Sequence, residues 1–385
     1  MMGVKKWQGD FMQEIILLFL SIKGRINFLQ LGRYGDHQEQ RYRNQFEKQF
    51  DFLEFNKVLV SEQGSGHYTI GFDPSYISKS GKCTPGVNYF WSGCAGKSKW
   101  GLEISGIAAI DIGNHTAFHL EAVQTPGDLK SKTLVEHYAQ VLIQRKKPLQ
   151  SISKYVVADA YFSKKTFVRP LLKEDFEIVS RLRDDADLLY LFSGQQSTKK
   201  GRPKKYDGKL KYHSIKDEHL KTEIISDSKK IVHGIVHAVA LKRKIKIVIL
   251  YTKRKQGWKH KIYLSTDLNI DHNLLLEYYQ TRFQIEFLYR DGKQHTGLND
   301  SQARSLNKLH FHLNTALTTI NIAKVRHWLK KAKEDRGAFS MCDIKTLYNN
   351  QLLIDRFLSL FAIDPNKPIN QRKIKQALEY GKIAA

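Results

Sequence analysis

Tyr279, Arg282, Glu286 and Lys293 follow one another at intervals of three, four and seven residues. At ~100° per residue their side chains share a helical stripe about 60° wide. Leu274, Leu275, Leu276, Phe283, Ile285, Phe287 and Leu288 surround them, which predicts a helix buried almost all round. A carboxylate, a guanidinium, an ammonium and a phenol lined up on a buried helix need a polyanion or a metal to face. Two more acids qualify by position. Asp73 closes the apolar run His67–Phe72, and Asp159 closes Tyr155–Ala158. Phosphoryl transfer with two metal ions needs carboxylates converging from separate elements, with the ions ~3.5–4 Å apart. Magnesium suits such a site because it takes oxygen ligands and keeps waters for phosphates. Each acid taken alone reads equally well as a strand-end cap or an ion-pair member. Asp111 rivals Asp73 as first ligand, although its place beside the Gly113-Asn114 turn already accounts for an aspartate.

Charge points the same way. Lys+Arg number 63 against 38 Asp+Glu, a net +25, and such an excess favours a polyanionic partner through counterion release. The chain's 385 residues suffice for a large core and two or three domains. Cys83, Cys94 and Cys342 show no CxxC spacing, which suits a reducing cytoplasm and argues against structural zinc. The apolar run Phe11–Ile22 contains Gln13 and Glu14 and is too short to span a membrane; it reads as a packed helix. It also lacks a signal-peptide cleavage pattern.

The elements that must position the acids fall into five stretches. Residues 1–60 predict a helical N-terminal region, with a helix near 10–22 and another over 36–50. The second fits either the recognition helix of a helix-turn-helix or a cap on the main domain. Residues 66–182 predict three antiparallel strands, then helix, strand, helix: a mixed α/β sheet in RNase H-like order. Residues 183–265 carry 21 Lys+Arg against 8 Asp+Glu and recurrent strand-like runs, which predicts a basic β-rich insertion. Its Lys199–Tyr206 loop reads as a minor-groove hook or a solvated loop. Residues 266–335 return to the core with the Glu286 helix, and 336–385 form a helical C-terminal region. Gly292, directly before Lys293, predicts a bend or end of that helix.

The Y-x2-R-x3-E-x6-K spacing resembles the signature of DDE transposases of bacterial insertion sequences, more narrowly the insertion-sequence-four family. Gly71-Phe72-Asp73, Val157–Phe162 and Gly292–Gly297 are similar features, although Pro74-Ser75 follows the first aspartate where many relatives carry a small hydroxyl residue immediately. The resemblance covers about 66–310. It implies that Asp73, Asp159 and Glu286 bind two Mg2+ (or Mn2+) ions. It also implies that Arg282 and Lys293 hold DNA phosphates, and that Tyr279 packs against the same backbone. Trp258 of the insertion becomes the candidate to receive a flipped base, with core packing as its alternative. The implied activity is cut-and-paste transposition: water attacks a phosphodiester at the transposon end, and the freed 3′-hydroxyl attacks the opposite strand or target DNA. The partners would be double-stranded terminal inverted repeats and target DNA, held by a homodimer in a synaptic complex. No membrane is involved, and the location would be a bacterial cytoplasm, at the nucleoid. A catalytically inactive DNA-binding regulator and a standalone metal-dependent nuclease of the same fold are the competing readings.

Overall fold

The computed structural model describes residues 5–196 and 201–383. Its strands are β1 (Tyr68–Ser78), β2 (Asn88–Ser92), β3 (Lys97–Asp111), β4 (Thr116–Gln124), β5 (Tyr155–Val157), β6 (Glu177–Leu182), β7 (Leu188–Leu191), β8 (Tyr206–Lys209), β9 (Lys221–Ser226), β10 (Lys229–Ala238), β11 (Arg243–Arg254) and β12 (Gly257–Ser265). The helices preceding the sheet are α1 (Lys6–Ser21), α2 (Phe28–Tyr34), α3 (Glu39–Phe46) and α4 (Phe52–Gln63). Within and after it come α5 (Leu134–Ile143), α6 (Lys146–Gln150), α7 (Lys165–Lys173), α8 (His272–Thr281), α9 (Gln284–His295), α10 (Leu306–His327), α11 (Met341–Leu360) and α12 (Pro368–Glu379).

All twelve strands join one mixed sheet, ordered β2-β3-β1-β5-β6-β12-β11-β10-β7-β8, with β4 beside β3 and β9 beside β10. β1 runs antiparallel to β3 and parallel to β5, and β5 runs parallel to β6. β12 pairs antiparallel with β6, so the strands of 183–265 run on from the central sheet. Apolar residues fill both faces. One face meets α1–α3 and α8–α11, and the other meets α5–α7. The 22-residue α10 lies against β4 and is polar where it touches. Its Asn321 and Asn314 accept from the His119 and Ala122 amides at 2.9 and 2.7 Å, satisfying donors at the strand's outer edge.

Three sequence expectations change. First, Asp73 lies within β1 rather than at its end, because β3 pairs with β1 as far as Ser78. β5 accompanies β1 only at Ile70 and Gly71, leaving an open edge beyond, where Pro74 is tolerated. Second, the helix predicted to break at Gly292 breaks ten residues earlier. Arg282, Ile285 and Glu286 donate their amides three residues back instead of four. The Thr281 hydroxyl meanwhile donates to the Glu277 and Tyr278 carbonyls at 2.8 and 3.2 Å, competing with the helical amides. Gly292 continues α9 because a Cβ there would stand 3.0 Å from Leu317 and 3.1 Å from Leu298; it serves close packing on α10 and Leu298. Third, the helix is buried on one side only, and Phe283 is exposed.

The helix predicted over 36–50 is the shorter α3. Tyr42 and Phe46 are fully buried, the Phe46 ring lying tilted 4.5 Å from that of Phe311 of α10, while Arg41 faces solvent. Of the Lys199–Tyr206 loop, Lys199 and Lys200 lie outside the described residues.

Candidate active site

Asp73, Asp159 and Glu286 stand on three elements, and the charges of Asp159 and Glu286 act on Asp73. Asp73 sits opposite Gly106 of β3, and its carbonyl accepts from the Tyr289 hydroxyl of α9 at 2.5 Å. Gly106 permits this approach, since a Cβ there would fall 1.8 Å from the Tyr289 oxygen. The phenol thus docks α9 onto β1 at the Asp73 backbone. Asp159 follows β5 and caps a short turn, its Oδ1 accepting from the Tyr161 amide at 2.8 Å. Its carbonyl accepts from Ser180 Oγ of β6 at 2.8 Å, which fixes the loop to the next strand. Glu286 stands in the first turn of α9.

Burial, with the Asp159 and Glu286 carboxylates adding to it, pushes the Asp73 carboxyl up to about 7; the Arg282 guanidinium and the Lys293 ammonium pull against that rise. This convergence places Asp159 and Glu286 within electrostatic reach of Asp73. Three carboxylates against two cations leave an excess negative charge in a half-closed, all-oxygen donor set. Such a set fits a hard divalent cation, which lowers the repulsion.

The helix break separates the members of the stripe, with Tyr279 on α8, Arg282 at the break and Lys293 on α9. Arg282 Nη2 donates to Glu286 Oε1 at 2.9 Å, and the guanidinium lies 5.7 Å from the Tyr279 ring centre. Arg282 Nε is buried without an acceptor. Lys293 Nζ donates to Ser75 Oγ at 2.9 Å, spanning from α9 to β1, and burial holds its ammonium below the ordinary lysine range. Tyr279 packs 5.0 Å from Tyr263 of β12, and burial raises its phenol.

Trp258 is placed otherwise. It lies beside the β11–β12 turn, 43% exposed, and its neighbours are Lys230, 5.4 Å from the ring, and Lys253 across the hairpin. Core packing is thereby excluded. The rival Asp111 ends β3, opposite Tyr68 at the start of β1, and accepts from Ser65 and Asn114 through both oxygens. It is a turn cap.

Sequence reading missed Ser75, Tyr289 and Arg181. Arg181 on β6 lies near Tyr279 and Tyr263, donates to Asp184 at 2.9 Å, and has a buried, unpaired Nε of its own. The signal for Tyr289 was available, because it follows Glu286 by three residues and so shares its face. Nothing local distinguishes Arg181 or Ser75.

No curated protein matches the chain in sequence. Among solved structures, one similar chain is titled a cryo-EM structure of the piggyBac transposase synaptic complex with hairpin DNA. It is 14% identical, with a TM-score of 0.40 over 97% of this chain and 75% of that one. The family model of the transposase DDE domain matches residues 95–322, well over half the chain, including Asp159, Tyr279, Arg282, Glu286 and Lys293 but beginning after Asp73. The chain belongs to the transposase DDE domain family.

Proposed function

We propose that the protein is an active DNA transposase that cuts the ends of its element and joins them to target DNA. The reading rests on Asp159 and Glu286 lying within electrostatic reach of Asp73, with Arg282 tied to Glu286 and its buried Nε lacking an acceptor. Asp73, Asp159 and Glu286 would hold two Mg2+ or Mn2+ ions. When bound, these would supply Lewis acidity and an activated nucleophile. The protein's own groups do the rest. Arg282 offers Nε to a non-bridging phosphate oxygen, and its hold on Glu286 keeps the guanidinium plane fixed. Lys293, seated on Ser75, adds a point charge that acts on Asp73, and the Tyr279 ring flanks Arg282.

Two phosphoryl transfers follow. In the first, a water oxygen forms a bond to phosphorus as the 3′-oxygen leaves and takes up a proton. In the second, that 3′-hydroxyl attacks a target phosphodiester and releases a target 3′-hydroxyl. Bonds exchange one for one in both, so no external energy source is needed.

The core order β4-β3-β1-β5-β6, antiparallel then parallel, supports the RNase H-like reading. The long β-rich stretch before α8 supports membership of the insertion-sequence-four family, with domain limits near 60, 66, 182, 265 and 335. Trp258, exposed on a basic hairpin, suits stacking on an unpaired base. A homodimer holding both transposon ends completes the reading. Among the described residues no helix is long and apolar enough to cross a membrane.

The test is end cleavage by Glu286→Gln, in Mg2+, on labelled DNA from the flanks of the protein's own gene. Cleavage should vanish while end binding stays near wild type. Persistent cleavage would remove Glu286 from the centre and with it this assignment.

A further inference from the structure

A second cluster lies at the other end of α8, where the β-rich stretch meets the helix that leads to Arg282. Glu223 of β9 pairs with Ile231 of β10, so it is the diagonal, same-face neighbour of His233. His272 opens α8 above them. Glu223 Oε1 stands 2.9 Å from His233 Nε2, and Glu223 Oε2 stands 3.0 Å from His272 Nε2. The two imidazoles stack at 3.9 Å, and one ligand atom from each of the three residues lies within 4.8 Å of the others.

Counting hydrogens makes the cluster unusual. His272 Nδ1 faces Asp271 Oδ2 at 3.3 Å, while its Nε2 faces Glu223. A neutral imidazole has one N–H for these two carboxylate oxygens. Either a second proton or a metal ion therefore fills the remaining contact. Asp271 is not free to turn away, because its Oδ1 caps α8 by accepting from the Asn273 and Leu274 amides at 2.9 and 3.2 Å.

We infer that Glu223, His233 and His272 form a binding site for a divalent transition-metal ion of zinc's class, distinct from the carboxylate centre. An ion there restores the count: His272 gives Nδ1–H to Asp271 and its Nε2 lone pair to the metal. This carboxylate–histidine–metal arrangement fixes the ring and raises its basicity. The 2.9 and 3.0 Å spacings need open only slightly to reach the edge of about 3.3 Å that a tetrahedron with ~2.0–2.1 Å bonds has, while one imidazole must swing out of the 3.9 Å stack so that both in-plane lone pairs point at the ion. Two nitrogens and one carboxylate suit zinc better than magnesium, which prefers oxygen alone. The half-exposed Glu223 side leaves room for a water as fourth ligand. The absence of paired cysteines, which argued against structural zinc, does not bear on histidine and carboxylate ligands. The ion would tie β9, exposed along its length and hydrogen-bonded to β10 alone, to the first turn of α8. That turn lies ten residues, or about 15 Å, ahead of Arg282.

The test uses the full chain, stripped of metal and titrated with Zn2+ in excess Mg2+, with Co2+ absorption as a spectroscopic signature. Wild type should bind one Zn2+ per chain and give the strong visible bands of four-coordinate Co2+. Glu286→Gln should do the same. Glu223→Gln and His233→Ala should weaken Zn2+ binding by 100-fold or more, and Asp271→Asn by roughly 10–100-fold. Glu223 is on an exposed edge strand, so its amide variant tests the site without disturbing the core. No Zn2+ binding in Mg2+, binding indifferent to Glu223→Gln, or binding lost in Glu286→Gln would each overturn the inference; the last would place the ion among the catalytic acids.

Discussion

The two clusters at the ends of α8 are built from different ligands toward different ends. The one at its C-terminal side collects Asp73, Asp159 and Glu286, oxygen only, and balances them with Arg282 and Lys293. The one at its N-terminal side collects Glu223, His233 and His272, with a further carboxylate, Asp271, behind the second histidine. A hard ion that must be shared with substrate phosphates calls for the first kind of site, which leaves a donor such as Arg282 Nε unfilled. An ion that only has to join two elements calls for the second, where ligands are already tied to one another. Proximity of charged side chains is therefore not enough to identify a catalytic centre. What separates the two is which donors remain unsatisfied and what kind of group would satisfy them.

This contrast can be broken by exchanging the damage. Asp73→Asn should reduce end cleavage by about 1000-fold or more, the equivalent of several kcal/mol of transition-state stabilisation, and leave Zn2+ binding untouched. His233→Ala should do the reverse, with Zn2+ affinity down about 100-fold and Mg2+-supported cleavage by the zinc-free protein within a few-fold of wild type. If either substitution moved both readouts alike, the two clusters would be one functional unit.

Histidines elsewhere sharpen the comparison. His119 and His312 are wholly buried, each with a single neutral acceptor, Asn314 Oδ1 at 2.9 Å and the Gly297 carbonyl at 2.8 Å. Burial pushes both imidazoles down to about 4 from the ordinary 6.5. A depressed value means that the unfolded chain takes up protons first. Stability should be indifferent to these rings above pH ~6.5 and fall as pH drops from there toward 4. The loss would be on the order of 3 kcal/mol per ring. Denaturant unfolding across that range should show the fall, and a flat profile would contradict the buried, neutral assignment.

The smallest expected effect concerns one phosphate contact. Arg282→Ala should lower the slope of log K against log salt for end binding by about one, and weaken cleavage besides. An unchanged slope would leave the unpaired Nε without its proposed acceptor.

The four-residue stripe was legible because a helix converts sequence spacing into direction, and the charges of Glu286, Arg282 and Lys293 all act on Asp73. The acidic strand residues were legible for a similar reason, since an acid closing an apolar run is expensive to bury. The position of the helix break was not legible. Gly292 carries the local signal, but its missing side chain is used for packing against Leu317 and Leu298, and Thr281 supplies the break. Trp258 read as ambiguous between core and surface because one tryptophan in an alternating strand can face either way; the sheet turns it outward.

The sequence by itself determined the basic charge, the mixed strand and helix order of the core, and the residue types available for metal and phosphate. These depend on composition and on short-range periodicity. Only the tertiary structure decided that Asp73 lies within its strand, that Tyr289 needs Gly106 to dock α9, and that Glu223, His233 and His272 meet. Those facts depend on strand register and on how helices seat against the sheet. Register and seating are set by contacts between residues far apart in the chain, whose partners no local pattern records.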